Sequence, residues 1–592
     1  MKRGFCVLAG ILLLVGISYA QQLRPPIKVA SLNSPVRWST MAFSPDGVAH
    51  IVYEAMDIPP SYDDRVYYVS YDGTTASTPL QISATSGLAD RPGIGVSPTG
   101  VIAIVWGDSG SVYMRVYNPT QGAWGGIETV KQSYGGDEPS VCLDRDGNIY
   151  VWFYDDPGGR VYTRAKIDGV WEETKRMDTG ARATQGGIAM GRDGRVWAIW
   201  REKNSGTGEY KGRYRKRTKT TAWSEVRDIN DSGASWSHPH VSVGPDNIAL
   251  VATGDIDENS GFNQEEWVIT LNEQNNPREL AIPAFLQHYP RVAADKFGRY
   301  VAVQIGGGDY GDGIRFTSRT TSGQWQEPQG LGGAWPKVPG LSADGYGNVA
   351  VCWSHIRFGE GADIVLASLA QISKKQVYAP QTPSASAEFK TVSNAPTVEW
   401  TFSWGANSQN KDNELDGYQI YKRFSGGAWE PCVSVDKVNL TATYSVTELP
   451  SVPEFAVAAV LLSGLESSKV SFPAIQYKLG APLSASASYK LTGLKTTPML
   501  KVDITWQKNS ANDEAYVQGY NIYKKEGTDG EFKIFKEVAK TQTSASFTFD
   551  TSETKLQFGI TTLTVFKLES TMVVLGPTQG QTGTSRSRLV GK

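Results

Sequence analysis

Cysteine is scarce in this 592-residue chain, with four residues at positions 6, 142, 352 and 432. Cys6 falls in an N-terminal leader, and the three that remain cannot build a disulfide framework. Cys142 and Cys352 stand in apolar alternating runs and read as small buried hydrophobes, so the fold has to stand on packing. Long apolar runs are lacking too. Residues 7–17 form the one such stretch, after Lys2 and Arg3 and before Ser18-Tyr19-Ala20, which is the pattern of a secretory signal peptide over residues 1–20. Cys6 lies too early in that leader for a lipid anchor, and no later stretch is long enough to span a bilayer. Charge of one sign is missing as well: 58 basic residues face 60 acidic ones for a formal net charge of −2, which speaks against a nucleic-acid partner.

Glycine, tyrosine and tryptophan are abundant, at 62, 27 and 17 residues, as suits an all-β protein with many turns. Residues 141–155, VCLDRDGNIYVWFYD, alternate apolar and polar, turn at Asp-Gly, and resume with β-branched and aromatic residues, the pattern of a β-hairpin. The unit recurs from Met41, Ile94, Ile188, Val241, Val292 and Leu341, with turn residues Gly47, Gly100, Gly147, Gly194, Asn247, Gly298 and Gly347. Their spacing is near fifty, with no helical pattern between copies, which predicts a β-propeller. Further strands such as residues 66–69, 112–117 and 161–164 lead to Trp124, Trp171, Trp223 and Trp325 and complete four strands per blade, A to D. Residues 26–30 stand where residues 126–130 stand before the third copy, so the N-terminus is expected to supply the outer strand of the seventh blade and close the ring.

The chain thus resembles seven-bladed propellers in general, over residues 21–376. It lacks both the Ser-x-Asp-x-Gly-x-x-Trp box of sialidase-type repeats and the Gly-His/Trp-Asp pair of WD repeats. A Pro/Ser/Ala-rich stretch within residues 377–387 reads as a linker. Beyond it, Trp400 and Trp404 precede Gly417-Tyr418-Gln419-Ile420-Tyr421-Lys422, and Trp506 precedes Gly519-Tyr520-Asn521-Ile522-Tyr523-Lys524. This pairing resembles fibronectin type III domains, and the resemblance implies two β-sandwiches, over residues 388–476 and 477–576, that act as spacers or adhesive modules. Residues 577–592 are polar and are expected to be disordered. The fold class expected is all-β, a seven-bladed propeller followed by two fibronectin type III-like sandwiches.

In a propeller the D-to-A and B-to-C connections open around the central channel, where ligands bind. The D-to-A positions include Trp38, Asp90-Arg91, Asp137-Glu138, Gln185, Ser237-His238, His288-Tyr289 and Trp335-Pro336-Lys337, and the ends of the B strands carry Glu54, Asp108, Asp155, Glu202, Asp255 and His355. Rings beside carboxylates and basic groups suit a sugar, which predicts ligand binding by Trp38, Arg91, Glu138, His238, His288, Tyr289, Trp335, Lys337 and His355. Were the site catalytic, His238, His288 and Tyr289 would move protons near Arg91 or Lys337 as in a polysaccharide lyase, or Asp137, Glu138 and Asp155 would serve glycoside hydrolysis. The same polar residues could instead cap blades and face water, and His50 and His240 read as structural.

Asp255, Asp257, Asn259, Asn263 and Glu266 fall at ligand positions of a calcium loop, although Ser260 stands where that loop needs glycine. Calcium is therefore the one ion suggested, and no cofactor is required. The basic run Arg213, Arg215, Lys216, Arg217, Lys219 reads as a charged sheet edge, or as a polyanion contact. The function expected is an exported, monomeric binding protein of the periplasm, cell surface or medium, recognising carbohydrate or a surface protein. A polysaccharide-active enzyme and a scaffold of an envelope assembly are the alternatives.

Overall fold

The computed structural model describes residues 23–577 and 588–589, except 57–62, 85–86, 133–135, 156, 230–234, 257–263, 272–275, 286–287, 296–297, 307–312, 321, 333–337, 358–360, 394, 450, 474, 476–478, 495–496, 513, 528–529 and 551–555. The expected leader, Trp335, Lys337 and the loop residues Asp257, Asn259 and Asn263 lie outside the described residues. Among those described the fold is all β, and no helix is long and apolar enough to cross a membrane. The chain divides into two compact units, Met1–Gln376 with Leu462–Leu465, and Val377–Leu461 with Glu466–Lys592.

The first unit is a β-propeller built from the repeated hairpin. In all seven copies the turn residue takes a positive φ, from 64° at Asn247 to 91° at Gly347. That conformation favours glycine, which has no Cβ to clash, and tolerates asparagine. Each turn is closed by its own backbone, as when the Gly147 N–H donates to the Asp144 carbonyl at 3.1 Å. Among the described residues the strands of this unit form seven antiparallel sheets, each with a path of four strands. Blade three, for example, runs Asp137–Leu143, Ile149–Asp155, Arg160–Ile167 and Val170–Trp171, with Lys175–Arg176 also pairing the third strand. Innermost strands of neighbouring blades touch all round the ring. Blade seven takes Gly340–Ala343, Val349–Arg357 and Gly361–Ser368 from the end of the repeats and Ile27–Leu32 from the start, with Ile27 opposite Leu366 and Leu32 opposite Ala362.

The blades are held together by one recurring contact, in which an apolar residue of one blade's third strand meets an aromatic residue of the next blade's second strand. Val66 and Trp106, Val112 and Phe153, Val161 and Trp200, Ile314 and Trp353, and Ile364 and Tyr53 share five interblade cores in this way. Between blades four and five the third-strand residue is Gly212, where an added Cβ would fall 2.2 Å from the Trp236 ring. Between blades five and six the pair is polar. Glu266, opposite Gly254, occupies the third-strand position, and Gln304 the aromatic one. Both are buried, at 0% and 2% exposure.

The basic run lies on the third strand of blade four, Tyr210–Arg217, and in the turn that follows. Its charges meet local acids: Arg213 pairs with Asp228 at 2.6 Å, Arg217 with Glu172 at 2.8 Å, and Lys219 with Asp168 at 2.9 Å. Three of the five charges of the run are thus paired with acids.

The second unit contains two sandwiches of matching topology. The first pairs Gln381–Val392, Ala395–Gly405 and Thr441–Val446 in one sheet and Glu430–Asp436, Leu415–Phe424, Pro453–Leu461 and Val470–Ser471 in the other. The second repeats the plan, starting from Leu483–Leu494 and Thr497–Gln507. Trp404 meets Tyr418 with ring centroids 5.3 Å apart, and Trp506 meets Tyr520 at the same 5.3 Å. The first strand starts at Gln381, inside the stretch read as linker. Its small, mostly exposed residues lie on a sheet edge, where composition resembles that of a loop. At the other end, Arg588–Leu589 pairs with Val573 and Val574, so part of the expected disordered tail adds to a sheet.

Candidate functional site

Among the described residues, six innermost strands carry a register shift near their start, between Val36 and Trp38, Asp90 and Gly93, Asp137 and Ser140, Thr184 and Gly186, Ser237 and His240, and His288 and Arg291. Such bulges re-aim side chains. In five blades the bulged residue is not glycine yet holds a positive φ: Arg91 (48°), Glu138 (40°), Gln185 (42°), His238 (45°) and Tyr289 (60°). A conformation of this kind costs about 1–3 kcal/mol per residue, so five at one position mark a constraint imposed by the ring rather than local accident. The next residue is proline in four cases, Pro92, Pro139, Pro239 and Pro290, and lacks the N–H that the interrupted ladder cannot use. Neighbouring blades satisfy some of the strained amides. Arg91 N–H donates to Glu54 Oε2 at 3.0 Å, and His238 N–H to Gln185 Oε1 at 3.2 Å.

Four of these five residues, all but Gln185, line a central cavity of about 370 Å³. Trp38, Arg91, Glu138, His238 and Tyr289 line its outer tier, Thr40, Gly93, Ser140, Gly187, His240 and Arg291 the next, and small residues such as Ala42, Gly95 and Ala189 the third. The tiers follow from alternation along each strand. Tyr289 is the hub of the aromatic side, 5.0 Å from Trp38 and 4.3 Å from His238 between ring centroids. His238 Nδ1 shares a 2.7 Å hydrogen bond with Ser237 Oγ. On the charged side Arg91 pairs with Asp137 and lies 3.6 Å from Glu138 Oε1.

Burial raises two carboxyl groups here, those of Glu138 and Asp90. Glu138 is pushed up to about 7, with Arg91 opposing and Asp137 adding to the shift. Asp90 is also pushed up to about 7, by burial and then by Glu54. Burial raises Tyr289 and lowers Arg291 and the well-buried His240. Because the folded pKa of Glu138 lies above its ordinary value, its contribution is fully present below that ordinary value and is lost as pH rises through about 7. Glu138→Gln is therefore expected to match the parent at acid pH and to exceed it by about 1–3 kcal/mol in alkaline buffer. Urea unfolding of the propeller at both pH values checks this, and an equal difference at both would refute it.

Other predicted residues stand elsewhere. Asp155 caps a turn, accepting from Gly158 N–H at 3.0 Å, and does not line the cavity. His355 sits on blade seven opposite Asp363, also outside the lining. Glu54 and Glu202 are buried braces, the latter accepting from Trp200 Nε1 at 2.8 Å. The backbones of His288 and Asp255 belong to strands of blades six and five. Glu266, the last position of the supposed calcium loop, is instead inside the strand Gln264–Leu271, and among the described residues no group of three His, Cys, Asp or Glu is placed to hold a metal. Sequence reading passed over Arg291. Aligning the second channel tier across the blades, which reads Thr40, Gly93, Ser140, Gly187, His240, Arg291 and Gly340, would have singled it out as the lone arginine.

No family model matches the chain, and no curated protein matches it. Among solved structures, a protein of unknown function from Dyadobacter fermentans is 11% identical with a TM-score of 0.39, over 59% of this chain and 98% of its own. The β-propeller domain of the trilobed protease from Pyrococcus furiosus is 9% identical with a TM-score of 0.38, over 58% and 98%. Hadza microbial sialidase Hz136 is 12% identical with a TM-score of 0.33, over 57% and 66%.

Proposed function

We propose that this is an exported binding protein whose propeller takes a carbohydrate in its central cavity, while two fibronectin type III-like sandwiches act as spacers or adhesive units. One observation carries the reading: Trp38, Tyr289 and His238 line a single cavity of about 370 Å³ together with Arg91, Glu138 and Arg291. That size lies within the usual range for small-ligand sites. Rings offer flat apolar faces to the C–H side of a sugar, and charged groups make the stronger hydrogen bonds to its hydroxyls. The strained bulges fix these side chains before any ligand arrives, which lowers the entropy lost on binding. The likeness of the second unit to fibronectin type III domains is supported by its duplicated strand order and by a tyrosine–glutamate contact repeated at Tyr421–Glu466 and Tyr523–Glu569.

A glycan array followed by calorimetry on the full chain tests the proposal. Trp38→Ala is expected to weaken the selected glycan at least about tenfold, as for aromatic anchors elsewhere. Absence of any glycan signal would remove it. A second reading, a polysaccharide-active enzyme, is favoured by Glu138, whose carboxyl is pushed up to about 7 in a cavity that Tyr289 and His238 also line, as a proton donor requires. Product release from polyuronates that is abolished by Glu138→Gln and His238→Ala would select that reading. Its absence alongside binding would select the first.

A further inference from the structure

Resting on the carbohydrate reading, we infer that Arg291 is an anion anchor and that the ligand of the central cavity carries a carboxylate there. Among the second-tier residues that line the cavity, Thr40, Gly93, Ser140, Gly187 and His240 are small or carry a neutral ring, and Arg291 brings the guanidinium. Among the described residues Arg291 forms no ion pair, and its one hydrogen bond donates from Nη1 to the Pro290 carbonyl at 3.1 Å. Arg91 differs, because Asp137 and Glu138 already face it. A guanidinium keeps its charge under burial and presents a fork of donors matched to a carboxylate. The groups that act on Arg291 electrostatically are Glu138, Tyr289 and Glu266. None of them is within ion-pair reach, and burial favours the neutral form of each.

The wall behind Arg291 supplies a second, independent observation. Five interblade contacts use an apolar residue against an aromatic one, but beside Arg291 the pair is Glu266 and Gln304. Among the described residues, both Glu266 oxygens and Gln304 Nε2 are buried without a hydrogen-bond partner. Gly212 against Trp236 also departs from the usual pair, but the polar pair stands at the junction that adjoins Arg291. Polar atoms in that wall lower the penalty of keeping a cation there, at the expense of stability, which is the pattern expected of a functional site.

The test uses the full chain and three probes: glucuronate, glucose, and acetate against chloride at matched ionic strength. Glucuronate is expected to bind at least about tenfold more tightly than glucose, and acetate to raise the propeller's melting temperature. Arg291→Gln should abolish both effects, while Arg291→Lys, which keeps the charge without the fork, should retain part of each. Unchanged unligated melting of the Lys variant guards against a folding defect. Equal binding of glucuronate and glucose by the parent, or acid preference that persists in Arg291→Gln, overturns the anion anchor and leaves the carbohydrate reading standing. Acetate protection lost in Arg291→Gln, with neither sugar bound, upholds the anchor and sinks the carbohydrate reading instead.

Discussion

A chain that begins at Pro35 is expected to lose roughly 4–8 kcal/mol of propeller stability and to associate through the blade it uncovers. Residues 23–34 contribute the outer strand of blade seven. Within it Val29 and Ala30 are 5% and 7% exposed and share a core with Ile51, Tyr53, Ile364 and Leu366. Leu23 packs on the neighbouring core, and Arg24 N–H donates to the Ser368 carbonyl at 2.8 Å. Removing these residues forfeits about 1.5–3 kcal/mol for a buried valine and about 0.5–1.5 kcal/mol for each ladder bond. It also leaves Gly361–Ser368 as a bare edge of the kind that templates pairing with another chain. Urea unfolding and gel filtration measure the two effects, and an unchanged midpoint with a monomeric elution would show that the ring does not depend on its closing strand.

Glu266→Val is expected to act in the opposite direction, stabilising the propeller by about 1–3 kcal/mol at neutral pH, the usual penalty of an unsatisfied buried polar group. Valine is what three other blades hold at this position, as Val66, Val112 and Val161. Burial keeps the Glu266 carboxyl well above the ordinary carboxylate range, with Arg291 pulling the other way. Below that range both the folded and unfolded chains are protonated. Above it the unfolded chain releases a proton that the folded chain retains, so the parent loses stability as pH rises. The gain from valine should therefore shrink toward acid pH. Glu266→Val with Gln304→Phe, which restores the apolar–aromatic pair, is expected to exceed the single change. Calorimetry of the propeller transition reads both, and a destabilised double variant would contradict the packing account.

Much of the propeller was legible because each hairpin repeats two signals, an alternating apolar strand and a glycine or asparagine that must take a left-handed turn. Residues 27–30 could be placed for the same reason, by analogy with an internal strand. The cavity was legible only in part. Trp38, Arg91, Glu138, His238 and Tyr289 stood at the right connections, but nothing in their identities announces a bulge with positive φ, which arises from closing the ring. Asp155 and Glu54 look alike in sequence, as acids near strand ends, and only three-dimensional packing makes one a turn cap and the other a brace for Arg91. Glu266 was misplaced because an acidic run was read along the chain, whereas its surroundings are set by strand register across the blade. Gln381–Val392 was missed because edge strands with small exposed residues share the composition of linkers.

The closing strand also dictates an order of assembly. Ser31 bonds to Asp363 across a sequence separation of 332 residues, so the earliest part of the ring to be synthesised must wait for almost the last. Until then six blades have partners within reach of the growing chain, and the seventh has none for its outer edge. Contacts this distant slow folding and lengthen the time for which hydrophobic strands stay accessible. Chaperone demand during biosynthesis should therefore peak late, as blade seven emerges, and fall once its N-terminal partner docks.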